Sequence, residues 1–212
     1  MLSAERRVRA AVLVSGGGTN LQALLDARGS VIQHAEIALV VSNNPKAYAL
    51  KRAEAAGVPA LILSARELGG AAAFEDALER SLREHGIELI VLAGFMTILS
   101  PDFTGRWERR ILNVHPALLP AFCGKGFYGL RVHEAALARG VKLSGATVHY
   151  VNEIPDGGEI LLQKAVEVLP DDTPETLQRR IMEQAEWKLL PQAVEMAAEK
   201  LLEQKEEVKS KK

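Results

Sequence analysis

One cysteine, Cys123, in 212 residues excludes an internal disulfide and any metal centre built from thiolates alone. No apolar run approaches the roughly 20 residues that a membrane-spanning helix needs. Met1–Arg9 is too short and too charged to read as a secretory leader. Charge of one sign is missing as well. With 26 Lys and Arg against 27 Asp and Glu, the formal charge of −1 gives no basic face for nucleic acid and no cationic patch for a membrane surface. No internal repeat and no linker divides the chain. These absences lead us to expect a cytoplasmic protein with no nucleic-acid, membrane or metal partner, and they leave monomer or homodimer open. The 48% of apolar residues suffices for one sizeable core. A single domain over residues 1–203 is therefore expected, followed by a frayed, charged tail over 204–212.

Val8–Val14 is rich in valine and alanine, as in a strand covered on both faces. It enters Ser15-Gly16-Gly17-Gly18-Thr19-Asn20, after which Leu21, Leu24 and Leu25 take helical spacing. Strand, glycine turn and helix in that order let backbone N–H groups meet an anion at the positive end of a helix. A dinucleotide fingerprint wants a third glycine where Leu21 stands, and a P-loop wants a Gly-Lys-Ser/Thr run that is absent. The turn suits one phosphate or carboxylate, with Thr19 and Asn20 as added donors. It equally suits a tight connection with no ligand. Further strands at Glu36–Ser42, Val58–Leu63 and Leu89–Ala93 alternate with helices over Lys46–Ala56 and around Phe74–Leu82. That order predicts an α/β, doubly wound, mostly parallel sheet with helices on both faces and ligands beyond the carboxyl ends of its strands. The glycine turn, Gly94-Phe95-Met96 and the pair Asn113/His115 are all expected on that rim.

Asn113 and His115 lie two residues apart after the apolar Arg110-Ile111-Leu112, so on an extended backbone they share a face. An amide donor beside an imidazole suits a reaction that builds negative charge on a carbonyl oxygen and moves a proton. The pair also fits a satisfied core Asn and His at a strand end. Downstream, Phe122–Gly129 reads as a glycine- and aromatic-rich loop in which Cys123 is a reactive thiol or incidental. Val132–Ala138 is a helix. Leu143–Val151 is a strand that sets Ala146, Val148 and Tyr150 against Thr147 and His149, and Ile160–Val168 is a last strand. Their short link admits an antiparallel pair, hence a mixed sheet. Asp172-Thr173-Pro174-Glu175 starts a helix with Leu177, Ile181, Ala185 and Leu189 as its buried stripe, interrupted at Pro191. Asp156, before Gly157-Gly158, is a turn residue or, if it meets His115, a carboxylate that raises the imidazole pKa.

Val14–Leu21, Leu92-Ala93-Gly94-Phe95-Met96, Ile111–Pro116, Leu118-Leu119-Pro120 and Asp156-Gly157-Gly158 together resemble the glycinamide ribonucleotide transformylases, folate-dependent formyltransferases of purine synthesis. The likeness runs in order from about residue 9 to about residue 200. It implies a mixed seven-stranded sheet, 10-formyltetrahydrofolate as formyl donor and the amine of 5′-phosphoribosylglycinamide as acceptor. By the family pattern Asn113, His115 and Asp156 form the catalytic trio. Gly18, Thr19 and Asn20 hold the substrate phosphate, and Glu186 also binds that substrate. Met96, Thr97, Ile98 and Leu99, with Asn113, face the folate.

Three departures stand out. Thr97 occupies a position where many members carry arginine, and no basic residue falls within Gly70–Ala73, leaving Arg66 or another grip for the folate tail. The loop Phe122–Gly129 is longer than in some relatives. Rival readings are a methionyl-tRNA formyltransferase, a formyltetrahydrofolate hydrolase and a non-catalytic phosphate-binding module. The first calls for an added C-terminal domain and a basic surface, the second for an added N-terminal domain, and the third has no use for the trio.

Overall fold

The computed structural model describes residues 6–210, so most of the charged N-terminal stretch and the last two lysines of the tail lie outside the described residues. Strands β1 (Val8–Val14), β2 (Ala35–Ser42), β3 (Ala60–Ile62), β4 (Leu89–Leu92), β5 (Ile111–His115), β6 (Leu143–Tyr150) and β7 (Ile160–Glu167) take the order β3-β2-β1-β4-β5-β6-β7, the expected seven-stranded mixed sheet. The residues group into two units, one running up to Thr97 and resuming at Val194, the other covering Ile98–Ala193.

In the first unit β2 pairs parallel with β1 and β3, and β1 pairs parallel with β4. Ala10 to Val14 and Leu89 to Val91 are fully buried, which is why these strands read as unbroken apolar runs rather than alternations. Parallel pairing delivers the turns after β1 and β4 to one edge. Helices α1 (Thr19–Asp26), α2 (Ala49–Ala55), α3 (Ala65–Leu68) and α4 (Ala71–Glu84) fill the connections. The second of these begins three residues later than its apolar spacing predicts. The Asn44 side chain accepts the Lys46 N–H at 2.9 Å, a local bond that competes with the helix. The four-residue α3 was not legible, because none of its residues is buried and no apolar period exists to read.

In the second unit β6 lies between β5 and β7, antiparallel to both. That central place buries both of its faces. Thr147 and His149, expected on a different face from the apolar set, are 0% and 1% exposed. Helices α5 (Pro101–Arg106), α6 (Leu130–Arg139) and α7 (Pro174–Ile181) follow the expected chain order, with α5 unforeseen despite its signal: the Ser100 hydroxyl accepts the Phe103 N–H at 3.1 Å ahead of Pro101. Thr173 and Thr176 cap α7 reciprocally. The stripe Leu177, Ile181, Ala185 and Leu189 is buried. Pro191 does not interrupt the final helix, α8 (Trp187–Ser210), which carries it inside. The irregularity falls just before, in a wide π turn at Met182–Glu186. So near a helix start the proline ring has only the Trp187 carbonyl to displace. Helix α8 continues to Ser210, with the Lys205 ammonium donating to the Glu88 carboxylate.

Candidate active site

The glycine turn is held by its carbonyls. Ser15 carbonyl accepts from the Asn44 amide at 3.2 Å, Gly16 carbonyl from the Ala49 N–H at 3.1 Å, and Gly17 carbonyl from Arg52 Nε at 2.9 Å. Ser15 Oγ accepts the Met96 N–H at 2.9 Å, so the turns after β1 and β4 meet on the carboxyl edge as expected. Gly18 has φ +73°, and a Cβ there would stand 2.6 Å from the Ala49 Cβ. Only glycine fits where α2 approaches so closely. Thr19 is half-buried and Asn20 buried at the head of α1. A cation beside this turn, Arg52, escaped the sequence reading. It also donates to Gln22 at 2.9 Å, and its value becomes visible only when α2 is packed against α1.

On the same edge Met96 and Ile98 are 57% and 73% exposed, apolar side chains presented to solvent rather than to the core. Thr97, in the place of the family's arginine, accepts from the Asn43 amide at 2.8 Å. Leu99 is 7% exposed and belongs to the packed interior, so it contributes no open surface.

The trio assembles within the second unit. Asn113 and His115 stand two apart on β5, and the antiparallel register sets His149 opposite Asn113 and Thr147 opposite His115. Asn113 Nδ2 donates to His149 Nε2 at 3.1 Å and lies 3.4 Å from Asp156 Oδ1. His149 Nδ1 is 2.8 Å from the Tyr150 carbonyl, which can only accept, so Nδ1 carries a proton, and Nε2 also lies 3.6 Å from Asp156 Oδ1. Asp156 Oδ2 accepts the Gly124 N–H at 2.9 Å and sits 3.6 Å from His115 Nδ1. By the same rule His115 Nε2 carries a proton and donates to the Phe122 carbonyl at 2.8 Å. The loop after Pro120 thus touches both members of the pair, one residue on either side of Cys123.

The backbone needed for this is unusual at two places. Asp156 has φ +56° and Phe122 φ +51°, a left-handed region that Asp tolerates and a bulky aromatic does not. Gly158 leaves no room beside it, because a Cβ would fall 1.8 Å from the Tyr150 carbonyl oxygen. The turn Pro116–Pro120 is fixed from beneath by Thr147, whose hydroxyl donates to the Ala117 carbonyl at 2.7 Å and accepts the Leu119 N–H at 3.1 Å.

Burial decides the charges. His115 is 4% exposed, and its pKa is lowered, chiefly because burial penalises the imidazolium. Asp156 and the Phe122 carbonyl pull it up without overcoming that loss, and His149 adds to the lowering. The expected upward shift from a neighbouring carboxylate is therefore corrected: desolvation outweighs the ion pair and favours the neutral ring. Asp156 is opposed by its own burial, yet His149, the Gly124 N–H and the His115 ring together hold its carboxyl below the ordinary value. Burial and Asp156 push the Cys123 thiol up, which makes it a poor nucleophile and supports the incidental reading. Behind His115 lies His133 on α6, wholly buried, with neither ring nitrogen hydrogen-bonded among the described residues. Burial, with His115 a smaller cause, lowers its pKa to about 4.

Of the residues expected at a site, Asn113, His115 and Asp156 are thus brought together, and Gly18, Thr19 and Asn20 form the head of α1. Glu186 is 6% exposed in the π turn, which packs on β6 and β7. His149 and His133 were missed. Alternation placed His149 on the polar side of its strand, but only the register with β5 reveals its partner.

A model of the formyl transferase family matches residues 8–194. The phosphoribosylglycinamide formyltransferase of Haemophilus influenzae is 41% identical over 189 residues, 89% of this chain and 86% of that protein. The trifunctional purine biosynthetic protein adenosine-3 of Gallus gallus is 44% identical over 192 residues, which is 91% of this chain but only 18% of that much longer protein. The crystal structure of glycinamide ribonucleotide transformylase 1 from Symbiobacterium toebii is similar with a TM-score of 0.85 at 43% identity, covering 91% of this chain and 88% of that one.

Proposed function

The chain belongs to the formyl transferase family, and from that premise we propose that it carries a formyl group from 10-formyltetrahydrofolate to the amine of 5′-phosphoribosylglycinamide. The products are 5′-phosphoribosyl-N-formylglycinamide and tetrahydrofolate, in cytoplasmic purine synthesis, with residues 1–203 acting as one formyltransferase domain. The observation that carries this reading is the closure of Asn113, His115 and Asp156 into one cluster, with a buried imidazole 3.6 Å from a carboxylate.

The neutral glycinamide amine attacks the formyl carbon, and the carbonyl electrons move onto oxygen. The Asn113 amide turns its weaker 3.4 Å contact from Asp156 to that oxyanion, and the His115 Nε2–H exchanges the Phe122 carbonyl for it. One such donor is worth about 3 kcal/mol in the transition state. The proton shed by the amine arrives at His115 Nδ1 and makes an imidazolium, which the nearby Asp156 stabilises. That proton then goes to the folate nitrogen as the carbon–nitrogen bond breaks, so a neutral amine leaves and the neutral ring is restored. His149 positions the Asn113 amide, and its Nε2 also stands 3.6 Å from Asp156 Oδ1. Gly18, Thr19 and Asn20 seat the substrate phosphate at the head of α1, where backbone N–H groups and the helix dipole favour an anion. Glu186 serves the ribonucleotide, and Met96, Thr97 and Ile98 serve the folate, with Leu99 kept in the packed interior.

Purified protein given the ribonucleotide and formyl-folate is expected to release tetrahydrofolate with stoichiometric formylation of the amine. Absence of that product overturns the assignment. His115→Ala is expected to lose formyl transfer while still binding the ribonucleotide. A phosphate-binding module without catalysis would show binding in both proteins and transfer in neither.

A further inference from the structure

Away from the catalytic cluster, the first unit gathers three metal-ligating side chains that formyl transfer does not use. His34 stands at the end of the connection from α1 to β2. Glu195 and Glu199 lie one turn apart on α8, so both carboxylates project from one face. His34 Nδ1 is 2.7 Å from Glu195 Oε1 and 3.6 Å from Glu199 Oε1, and one ligand atom from each residue lies within 4.8 Å of the other two. We propose that His34, Glu195 and Glu199 form a divalent-cation site of the zinc class that fastens the α1–β2 connection to the C-terminal helix.

Geometry and charge both favour a cation over a plain ion pair. Ligand atoms held 2.0–2.2 Å from a tetrahedral zinc are spaced roughly 3.4 Å apart, between the two distances found here. Glu195 is already oriented as a ligand, because its Oε2 accepts the backbone N–H of Gln33 at 2.9 Å and of His34 at 3.0 Å, which leaves Oε1 aimed at the ring. Those bonds secure one carboxylate beside one imidazole, a pair that is complete in itself. A second carboxylate drawn to 3.6 Å of the same nitrogen places two anions around a ring that carries at most one positive charge. A divalent ion replacing the shared proton balances both. One imidazole nitrogen with two carboxylate oxygens is a borderline set, suited to Zn²⁺, Co²⁺ or Ni²⁺ more than to the all-oxygen preference of Ca²⁺ and Mg²⁺. Glu199, with its side chain 51% exposed, leaves the outer side open for water as the fourth ligand.

The test titrates the full chain, stripped with EDTA, with ZnCl₂ by calorimetry and by thermal melting, and with CoCl₂ by visible absorption. Other histidines and Cys123 also bind zinc, so the site is read as the difference between the parent and Glu199→Gln. That variant keeps the His34–Glu195 pair and alters only an exposed carboxylate. The proposal expects one additional Zn²⁺ per chain in the parent and a raised melting temperature. It also expects an affinity lowered by roughly tenfold or more in Glu199→Gln and abolished in His34→Asn. Equal zinc affinity in the parent and Glu199→Gln, or no zinc-dependent change in melting at millimolar ZnCl₂, reduces the cluster to an ion pair and overturns it.

Discussion

The glycine turn after β1 and the imidazole cluster at the end of β5 manage charge by opposite means. The turn works with backbone. Its carbonyls are tied back by Asn44, Ala49 and Arg52, and the phosphate seat proposed there draws on backbone N–H groups and the α1 dipole, which do not depend on pH. The cluster works with ionisable side chains from β5, β6 and two loops, and its charges are set by how little water reaches them. A seat of the first kind tolerates side-chain changes but not a change of backbone shape. One of the second kind tolerates small backbone adjustments but not the loss of a single charge.

The sharpest way to separate the two is Asp156→Asn. Asparagine also accepts φ near +56°, so the turn is preserved and only the charge is lost. Turnover is expected to fall by roughly 10³-fold with the ribonucleotide KM little changed, as for loss of general acid–base assistance. Near-normal turnover would remove the carboxylate from the proton route. Gly18→Ala is the converse, a methyl group placed 2.6 Å from Ala49 Cβ at positive φ. It is expected to weaken ribonucleotide binding about tenfold and to destabilise the fold by roughly 1–3 kcal/mol. The pH profile of its kcat/KM should keep the parent's shape. Thr147→Val leaves the buried Leu119 N–H without its acceptor and should cost about 1–3 kcal/mol in urea unfolding.

Smaller effects sharpen the contrast through pH. Since burial lowers His115 and the proposed step needs the neutral ring, kcat/KM should rise with pH along an acid limb centred below 6.5 and then level off. Asp156→Asn removes the contribution that raises this pKa, so its residual activity should show the limb displaced further down. A profile that instead falls through this range would mean that the free enzyme acts with a charged imidazole. For His133 the sign concerns stability. Its folded-state pKa of about 4 lies below the ordinary 6.5, so the unfolded chain binds the proton more readily between those values. Stability is therefore full above about 6.5 and drains away as pH falls toward 4. Urea midpoints at pH 7 and pH 5 should draw closer in His133→Leu than in the parent.

The first unit was legible because parallel βαβ pairing is local. Each strand is followed by its own turn and helix, so Val8–Val14 and the glycines behind it predict one another without knowledge of distant residues. Boundaries slipped where a side chain intervened, as Asn44 does ahead of α2, and at β3, expected over Val58–Leu63 and observed over Ala60–Ile62. In the second unit the residue types were legible but not their state. Asp156 was rightly paired with His115, yet the direction of the His115 shift depended on a burial that no local pattern encodes. His149 went unseen because its partner stands 36 residues earlier.

By itself the sequence determined the alternation of strands and helices and the glycine turn after β1, since these follow from spacing along the backbone, whereas the grouping of Asn113, His115 and Asp156 came from the resemblance to a family. The tertiary structure alone decided which groups face the nitrogens of His115 and His149, that burial pulls the His115 pKa down, and that Gly18 and Gly158 have no substitute. Those are matters of desolvation and close approach, set by neighbours that arrive from elsewhere in the chain.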